Sequence, residues 1–327
     1  METKIRWGIV GPGKIATKFV SDLSLVDDAE LTGVASRNLG RAKAFAKEYN
    51  IPHAFGSYDE LFQSDVVDAL YIATPHNFHK DLAIAAMKNG KHVLCEKPMG
   101  ISRAEVEEMV AVAKANNVFL MEALWSRFNP TIQQVKDKVE QGQIGDLTYL
   151  HADFAFYGLD RDEDSRILNL NLASGSILDI GIYPIFLSYL LLGMPETILA
   201  ASNFHENGTE LQTSMIFQYP NAQAVLYSGL TSNSHMEAEI SGSQGEIFLR
   251  PRWHEARGYR MVKGELEEVV ELPLKGNGYY YEILEVNRCL RANKIESDLW
   301  SHQNSLDLAW LLDKVRKICG IRFPFET

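Results

Sequence analysis

GIVGPGKIA, residues 8–16, joins an apolar run to a helical one across a turn holding two glycines. The run that leads into it, IRWGIV, is short and apolar, as a buried parallel strand is. The run that follows, KIATKFVSDL, repeats its apolar residues at helical spacing. Between them Gly11, Pro12, Gly13, Lys14, Ile15 and Ala16 form a GxGxxA. Gly11 permits a tight turn, Gly13 lets backbone approach a pyrophosphate, and Ala16 allows close packing of helix on strand. A glycine-bearing turn from strand to helix also occurs for structural reasons alone. A strand before it and a helix after it are the context that makes it a dinucleotide fingerprint. The helix N-terminus then offers free N–H groups and its positive dipole end to a phosphate.

The same rhythm continues outward. ELTGVAS, DALYIAT, HVLCEKP and VFLMEA read as strands. GRAKAFAKEYN, HKDLAIAAMKNG and ISRAEVEEMVAVAKANN read as the helices between them. Ser102 and Glu105 make a capping box for the last of these, and Asn89-Gly90 is a stop signal. Alternating strand and helix implies an α/β Rossmann domain with a doubly wound parallel sheet, expected over residues 1–122. The pattern then changes. A helix from Pro130 to Gln141 precedes the alternating strand DLTYLHADFAFY, a charged loop, and the apolar helical segment SILDIGIYPIFLSYLLLG. After it ILAASNF, LQTSMIFQY, AQAVLYSGL, MEAEISG, GEIFLR, YRMVKG and LEEVVELP read as successive strands. Residues 123–327 are therefore expected to form an α+β domain with a large, mostly antiparallel open sheet. The closing amphipathic helix, about residues 302–319, is a candidate to pack back on the first domain.

Bulk properties exclude several classes. With 327 residues, 46% hydrophobic and 23% charged, the chain has the composition of a globular protein of about two domains. A formal charge of −11 argues against nucleic acid or an anionic membrane as partner. Cys95, Cys289 and Cys319 show no metal-like spacing and suit a reducing, cytoplasmic compartment. The N-terminal residues carry no apolar region of signal-peptide length, and the longest apolar run, near Ile185 to Leu192, is too short to span a bilayer.

The second strand selects the cofactor. NAD enzymes usually place an acid about 20 residues after the glycines, on the ribose hydroxyl. Here the strand ends in Ser36-Arg37-Asn38, with no carboxylate to repel a 2′-phosphate. Ser36 can donate to that phosphate, and Arg37 can pair with it while stacking on adenine. NADP is the expected cofactor, with NAD second. In open α/β sheets ligands lie beyond the carboxyl ends of the strands. Two such ends are Ala73-Thr74-Pro75-His76-Asn77 and Cys95-Glu96-Lys97-Pro98. A charge pair at the mouth of an apolar strand is costly unless it serves a ligand or reaches solvent.

With the glycine turn, ATPHNFH and CEKP in this order, the chain resembles the glucose-fructose oxidoreductase/inositol dehydrogenase/MocA family. The resemblance covers the whole layout. It is most specific over Ile5 to Glu122 and Leu178 to Pro184. MEALWSRFNP and ASGSILDIGIYPI look like its dimeric dihydrodiol dehydrogenase and NADP-dependent aldose (xylose) dehydrogenase branch. The resemblance implies that Lys97 reaches the nicotinamide carboxamide and the reacting oxygen, and that Glu96 approaches the nicotinamide ribose. It implies a cofactor shell that also includes Gly11, Pro12, Gly13, Lys14, Ile15, Ser36, Arg37, Ala73, Thr74, Pro75, Asn77, His79, Trp125 and Arg127. His76 and His79 are alternatively capping residues. Many relatives carry histidine four residues after an aspartate, where this chain has Asp179 and Tyr183.

Asp179 and Tyr183, four apart, share one helix face, and Pro184 implies a kink beside them. Each has a plain structural alternative: dipole complement for the aspartate, core packing for the tyrosine. As a pair they are the expected substrate anchor and proton acceptor. Oxidising a carbinol sends a proton to a base, and a free phenol, with pKa about 10, needs a nearby ammonium to serve near neutrality. Lys97 is that candidate ammonium, and the roles of lysine and tyrosine can be exchanged. Trp125, Phe154 and Tyr157, with the run Tyr279-Tyr280-Tyr281, are candidate flat walls for a sugar or ring diol, or else core. No catalytic metal is expected.

The leading expectation is an NADP-dependent dehydrogenase of an aldose, cyclic polyol or trans-dihydrodiol. The alternatives are an NAD-dependent inositol-type dehydrogenase, a redox-silent NADP sensor, and an S-adenosylmethionine-dependent methyltransferase. The joint presence of Lys97, Asp179 and Tyr183 speaks against a sensor, which needs no proton relay. The antiparallel second domain and the EKP strand end speak against a methyltransferase. An antiparallel sheet with helices on one face leaves its other face to cover. A homodimer through that face is expected.

Overall fold

The computed structural model describes residues 3–326. Residues 1, 2 and 327, which close the expected domain ranges, lie outside the described residues. The chain forms two compact units, one of Met1–Phe128 with Lys275–Leu306 and one of Asn129–Leu274 with Asp307–Thr327. This division differs from a single cut after residue 122, because the chain returns to the first unit near its end. Helix Tyr280–Arg291 is tied there by polar bonds. Trp7 Nε1 donates to Asn287 Oδ1 (3.2 Å), and Asn287 Nδ2 donates to Asp28 Oδ1 (2.8 Å). The closing helix, His302–Cys319, is shared, with residues 302–306 grouped in the first unit and 307–319 in the second.

The first unit holds strands β1 (Ile5–Val10), β2 (Ala29–Ala35), β3 (His53–Phe55), β4 (Ala69–Ile72), β5 (His92–Glu96) and β6 (Leu120–Ala123). They form one sheet in the order β3-β2-β1-β4-β5-β6, with every pairing parallel. Runs such as Ala69–Ile72, buried at every position, match an apolar run that has no exposed face. The strand order reverses between β1 and β4, so the turns after these two strands flank the switch point where such sheets bind ligands. The capping box forms: Ser102 Oγ accepts from Glu105 N (3.4 Å), while Glu105 Oε2 reaches Ile101 N (2.9 Å).

The second unit holds β7 (Leu147–Ala155), β8 (Thr197–Phe204), β9 (Glu210–Gln218), β10 (Gln223–Gly229), β11 (Ala238–Gly242), β12 (Gly245–Leu249), β13 (Gly258–Lys263) and β14 (Leu266–Glu271). Their order is β14-β13-β12-β11-β7-β10-β9-β8, antiparallel except for β7 beside β10. The apolar helical segment covers one face. It begins as a π-helical turn, Ile177–Gly181, and continues as helix Ile182–Leu192. Pro184 lies inside a continuous helical segment, just after the π turn, and that wider turn takes the place of the expected kink. The stretch Leu170–Leu192 is long and apolar enough to cross a membrane, longer than the run noted in the sequence, but 78% of its apolar window is buried inside the protein. That burial makes it a core helix.

Candidate active site

In the first unit the glycine turn is built as the fingerprint requires. Gly11 has φ +89°, and a Cβ there would stand 3.0 Å from Thr74 Cγ2 and 3.3 Å from Ala73 O. The turn is thus closed against the ATPHN segment. Gly13 is different. Its φ of −111° suits any residue, and a Cβ would meet no protein atom within 4 Å. Neither backbone nor packing demands glycine at this position, and the open space would admit a ligand's phosphate. Thr74 Oγ1 points the same way, being buried without a hydrogen-bond partner, a state that calls for an explanation in a native structure. Both observations fit a dinucleotide at this strand end. Lys14 is exposed, Pro12 and Ile15 are half-buried, and Ala16 is buried against the sheet.

Ser36 is buried, with its Oγ accepting from Asn38 N (3.2 Å). Arg37 is exposed, its guanidinium 5.4 Å from the Phe78 ring centroid. The sequence reading missed Arg41, whose Nη2 reaches Pro12 O (3.4 Å) and so brings a second cation to the glycine turn. One helical turn beyond Arg37, it looked like any solvated arginine.

The CEKP strand end is held from three sides. Tyr71 Oη donates a short bond to Glu96 Oε1, and burial beside that carboxylate pushes the phenol's pKa well up. Lys97 N donates to Glu96 Oε2 (3.2 Å), and the Lys97-Pro98 peptide is cis. Met99 N donates to Glu122 Oε1 (2.9 Å). Glu122 is itself buried, and its second oxygen accepts from Ser305 Oγ (2.8 Å) and Trp300 Nε1 (3.2 Å). Burial raises its pKa, against these donors and the Lys97 charge. His79 forms the third brace. Its Nδ1 lies 2.8 Å from Pro98 O and its Nε2 2.8 Å from Thr74 O, so one ring spans both strand ends. Burial lowers the imidazole's pKa, and the two carbonyls oppose that. Lys97, half-buried, is the side chain this framework presents. His76 and Asn77 are half-buried in the short turn before His79.

Trp125 is buried and stacked on Tyr279, with centroids 5.0 Å apart and planes 8° from parallel. Arg127 is buried, with Nε donating to Leu299 O (2.9 Å). The structure thus places both in the packing of the first unit.

In the second unit Asp179 lies on the π turn and Tyr183 on the helix after it, both buried. Glu210 holds the start of this segment, accepting from Ile177 N (2.8 Å), Ser176 Oγ (2.7 Å) and Thr213 Oγ1 (2.7 Å). Gly181 lets the turn approach β10, since a Cβ there would stand 2.8 Å from Ser228 Oγ. Around Tyr183 lie Phe154 (5.5 Å between centroids) and His254 (5.3 Å), which stack on each other at 4.1 Å. Asp179 Oδ1 accepts from Arg166 Nη1 (2.7 Å). His254 and Arg166 carry no sequence signal, one in a turn between strands and the other in a charge-rich loop. Tyr157 is exposed. Among the described residues no group of three or more His, Cys, Asp or Glu is arranged to hold a metal ion.

Residues 5–124 match the family model described as "Oxidoreductase family, NAD-binding Rossmann fold", and residues 132–248 match the GFO/IDH/MocA C-terminal domain. The chain is 39% identical over 333 residues to the mouse (Mus musculus) trans-1,2-dihydrobenzene-1,2-diol dehydrogenase, covering 98% of each. It is 35% identical to the scyllo-inositol 2-dehydrogenase (NADP(+)) IolU of Bacillus subtilis, covering 98% of this chain and 99% of that one. Among solved structures, the 3-ketoreductase KijD10 of Actinomadura kijaniata, in complex with NADP and TDP-benzene, superposes with TM-score 0.88 at 26% identity, covering 97% of this chain and 98% of that one.

Proposed function

The chain belongs to the GFO/IDH/MocA family of oxidoreductases, and from that premise we propose that it transfers hydride between NADP and a carbinol of a cyclic polyol, aldose or trans-dihydrodiol. The observation that carries this reading is the pair of features beyond β1 and β4, the open space at Gly13 and the unpartnered Thr74 Oγ1, at the same edge of the sheet where Lys97 follows β5. The relatives named for a dihydrodiol and for scyllo-inositol share a secondary carbinol on a six-membered carbon ring, which sets the substrate class.

The cofactor-holding residues are Gly11, Pro12, Gly13, Lys14 and Ile15 at the pyrophosphate, Ser36 and Arg37 at the 2′-phosphate, and Ala73, Thr74, Pro75, Asn77, His79 and Glu96 along the strand ends. Trp125 and Arg127 complete this set. When bound, the nicotinamide supplies the hydride acceptor or donor. The chain's own part is proton transfer and orientation. Tyr183 takes the carbinol proton on oxidation and returns it on reduction, and Lys97, as an ammonium, favours the phenolate and holds the reacting oxygen. Asp179 accepts from a substrate hydroxyl, and Phe154 offers a flat apolar wall. The proposed assembly is a homodimer, and the three free cysteines suit the cytoplasm.

Initial rates of nicotinamide absorbance change with NADP⁺ over a panel of inositols, aldoses and trans-diols test the reading. Turnover of at least one member is expected, and none with any carbinol would reject it. Arg37→Ala should weaken NADP⁺ far more than NAD⁺. Equal losses would remove Arg37 from the 2′-phosphate.

A further inference from the structure

Arg166 lies in the polar stretch between β7 and the π turn, where residues 160–164 are exposed. Its own position is fixed. Ile167 and Leu168, the next two residues, are buried at 1% and 2% exposure. Leu168 O accepts from Thr209 Oγ1 (2.8 Å) and Asn207 Nδ2 (3.0 Å). Leu168 N and Asn169 N close a turn on Ser165 O at 3.0 and 2.9 Å. The buried pair seats the loop, and the exposed Arg166 guanidinium reaches Asp179 from its solvent side.

The ion pair is lopsided. The Asp179 side chain is 8% exposed and that of Arg166 57%. A largely buried carboxylate acceptor thus stands beside a guanidinium that solvent still reaches. An acceptor next to a donor is the complement of one hydroxyl group, which donates one hydrogen bond and accepts others. A carbinol being oxidised must give its proton to the base, so the hydroxyl read by this pair is a different one on the same substrate.

We propose that Arg166 is a specificity-determining residue: together with Asp179 it binds the hydroxyl next to the carbinol that reacts, so that vicinal diols are selected over isolated secondary alcohols. The proposal rests on the function given above and deepens it. Arg166 aligns Asp179 and adds a donor of its own to the neighbouring oxygen. A substrate lacking that hydroxyl forgoes the bonds to both groups, and a site built to hydrogen-bond a hydroxyl discriminates strongly against the analogue without it.

The test compares kcat/KM for trans-cyclohexane-1,2-diol and cyclohexanol with NADP⁺, in wild type, R166M and R166K. Wild type should favour the diol. R166M should lower kcat/KM for the diol roughly 10- to 100-fold, as loss of a charge-assisted hydrogen bond does. It should leave cyclohexanol and NADP⁺ affinity, read by tryptophan fluorescence, nearly unchanged. R166K, which keeps charge but not the planar fork, should recover part of the diol preference. Equal losses on both substrates in both variants would mean that Arg166 only supports the loop, and would overturn the proposal. If R166M does not fold, the R166K ratio decides alone. Wild type inactive on every carbinol would reject the proposed function itself. Wild type active with its diol preference intact in the variants would reject only the role of Arg166.

Discussion

Glu282 is the most exposed to test among single residues, because nothing in its surroundings favours its charge. It is fully buried, neither carboxyl oxygen has a hydrogen-bond partner, and burial beside Glu96 and Asp22 raises its pKa well above the usual 4.5. The folded chain therefore keeps a proton here that the unfolded chain loses. Stability from this group falls as pH rises from the unfolded pKa toward the folded one, by at most about 1.4 kcal/mol per pH unit. Glu282→Gln removes the titration. The variant should be more stable than wild type near neutrality, with the difference shrinking as pH approaches the unfolded pKa. Urea unfolding across that range measures it, and parallel curves for the two proteins would show an ordinary carboxylate. Lys97 and Tyr183 pose the opposite question, whether two residues act as one. If both serve one proton transfer, losses should not add. Tyr183→Phe and Lys97→Met should each lower kcat by roughly 10²- to 10⁴-fold, and the double variant should be little worse than the worse single. NADP⁺ affinity should survive Tyr183→Phe. Near-full activity in Tyr183→Phe would return the proton transfer to Lys97 and the tyrosine to the core.

At the scale of elements, the π turn Ile177–Gly181 depends on an acid from another strand. Glu210, buried, accepts from two donors at its start, Ser176 Oγ and the Ile177 N–H, and from Thr213 Oγ1 on its own strand. Removing it strands the Ile177 N–H, costing ~1–3 kcal/mol when buried, while Ser176 Oγ keeps Ser228 Oγ and Thr213 Oγ1 keeps Ser202 Oγ as partners. Glu210→Ala should therefore lose about 1–3 kcal/mol in urea unfolding and lower kcat, while NADP⁺ affinity holds because the glycine turn is in the other unit. Unchanged stability would show that solvent satisfies those groups. Elements of this kind explain what the sequence could and could not disclose. The glycine turn and CEKP were legible because each is local: strand, turn and helix follow one another and their chemistry is contiguous. Strand β3 was not, since His53–Phe55 is too short for a period to show. Helix Tyr280–Arg291 was hidden because its buried side includes Glu282 and Asn287, which break the apolar repeat. That helix is also why the chain returns to its first unit. Arg166 and His254 reach Asp179 and Tyr183 only through tertiary packing, and neither a charged loop nor a turn between strands marks one residue above its neighbours.

On the scale of the whole molecule, the outer face of the eight-stranded sheet is where the proposed homodimer would form. The registers align Leu199, Ile216, Val225, His151, Glu239, Phe248, Arg260 and Val269 in one row across all eight strands. The residues between them along the strands, such as Met215, Phe217, Ala224 and Leu226, are buried on the inner side. Leu199 is 52% exposed, Ile216 37% and Val269 49%, with Arg260 lying 4.2 Å over the Phe248 ring. Such a row, apolar on β8 to β10 and charged on β11 and β13, can oppose a two-fold copy of itself, because an isologous interface needs only self-complementarity. Two sheets packed face to face about an axis along the row would cover the apolar third. Light scattering in dilute solution should then give about twice the 36.8 kDa chain mass. Ile216→Lys places a charge in the apolar third. In a monomer that position faces water, so the substitution should cost less than about 0.5 kcal/mol and leave the fold intact. In the dimer it buries an unpaired ammonium at the interface and should shift the assembly to single chains at micromolar concentration. A wild-type protein that scatters as a monomer would remove the dimer. A stable Ile216→Lys dimer would place the interface on another surface and leave this row open to water.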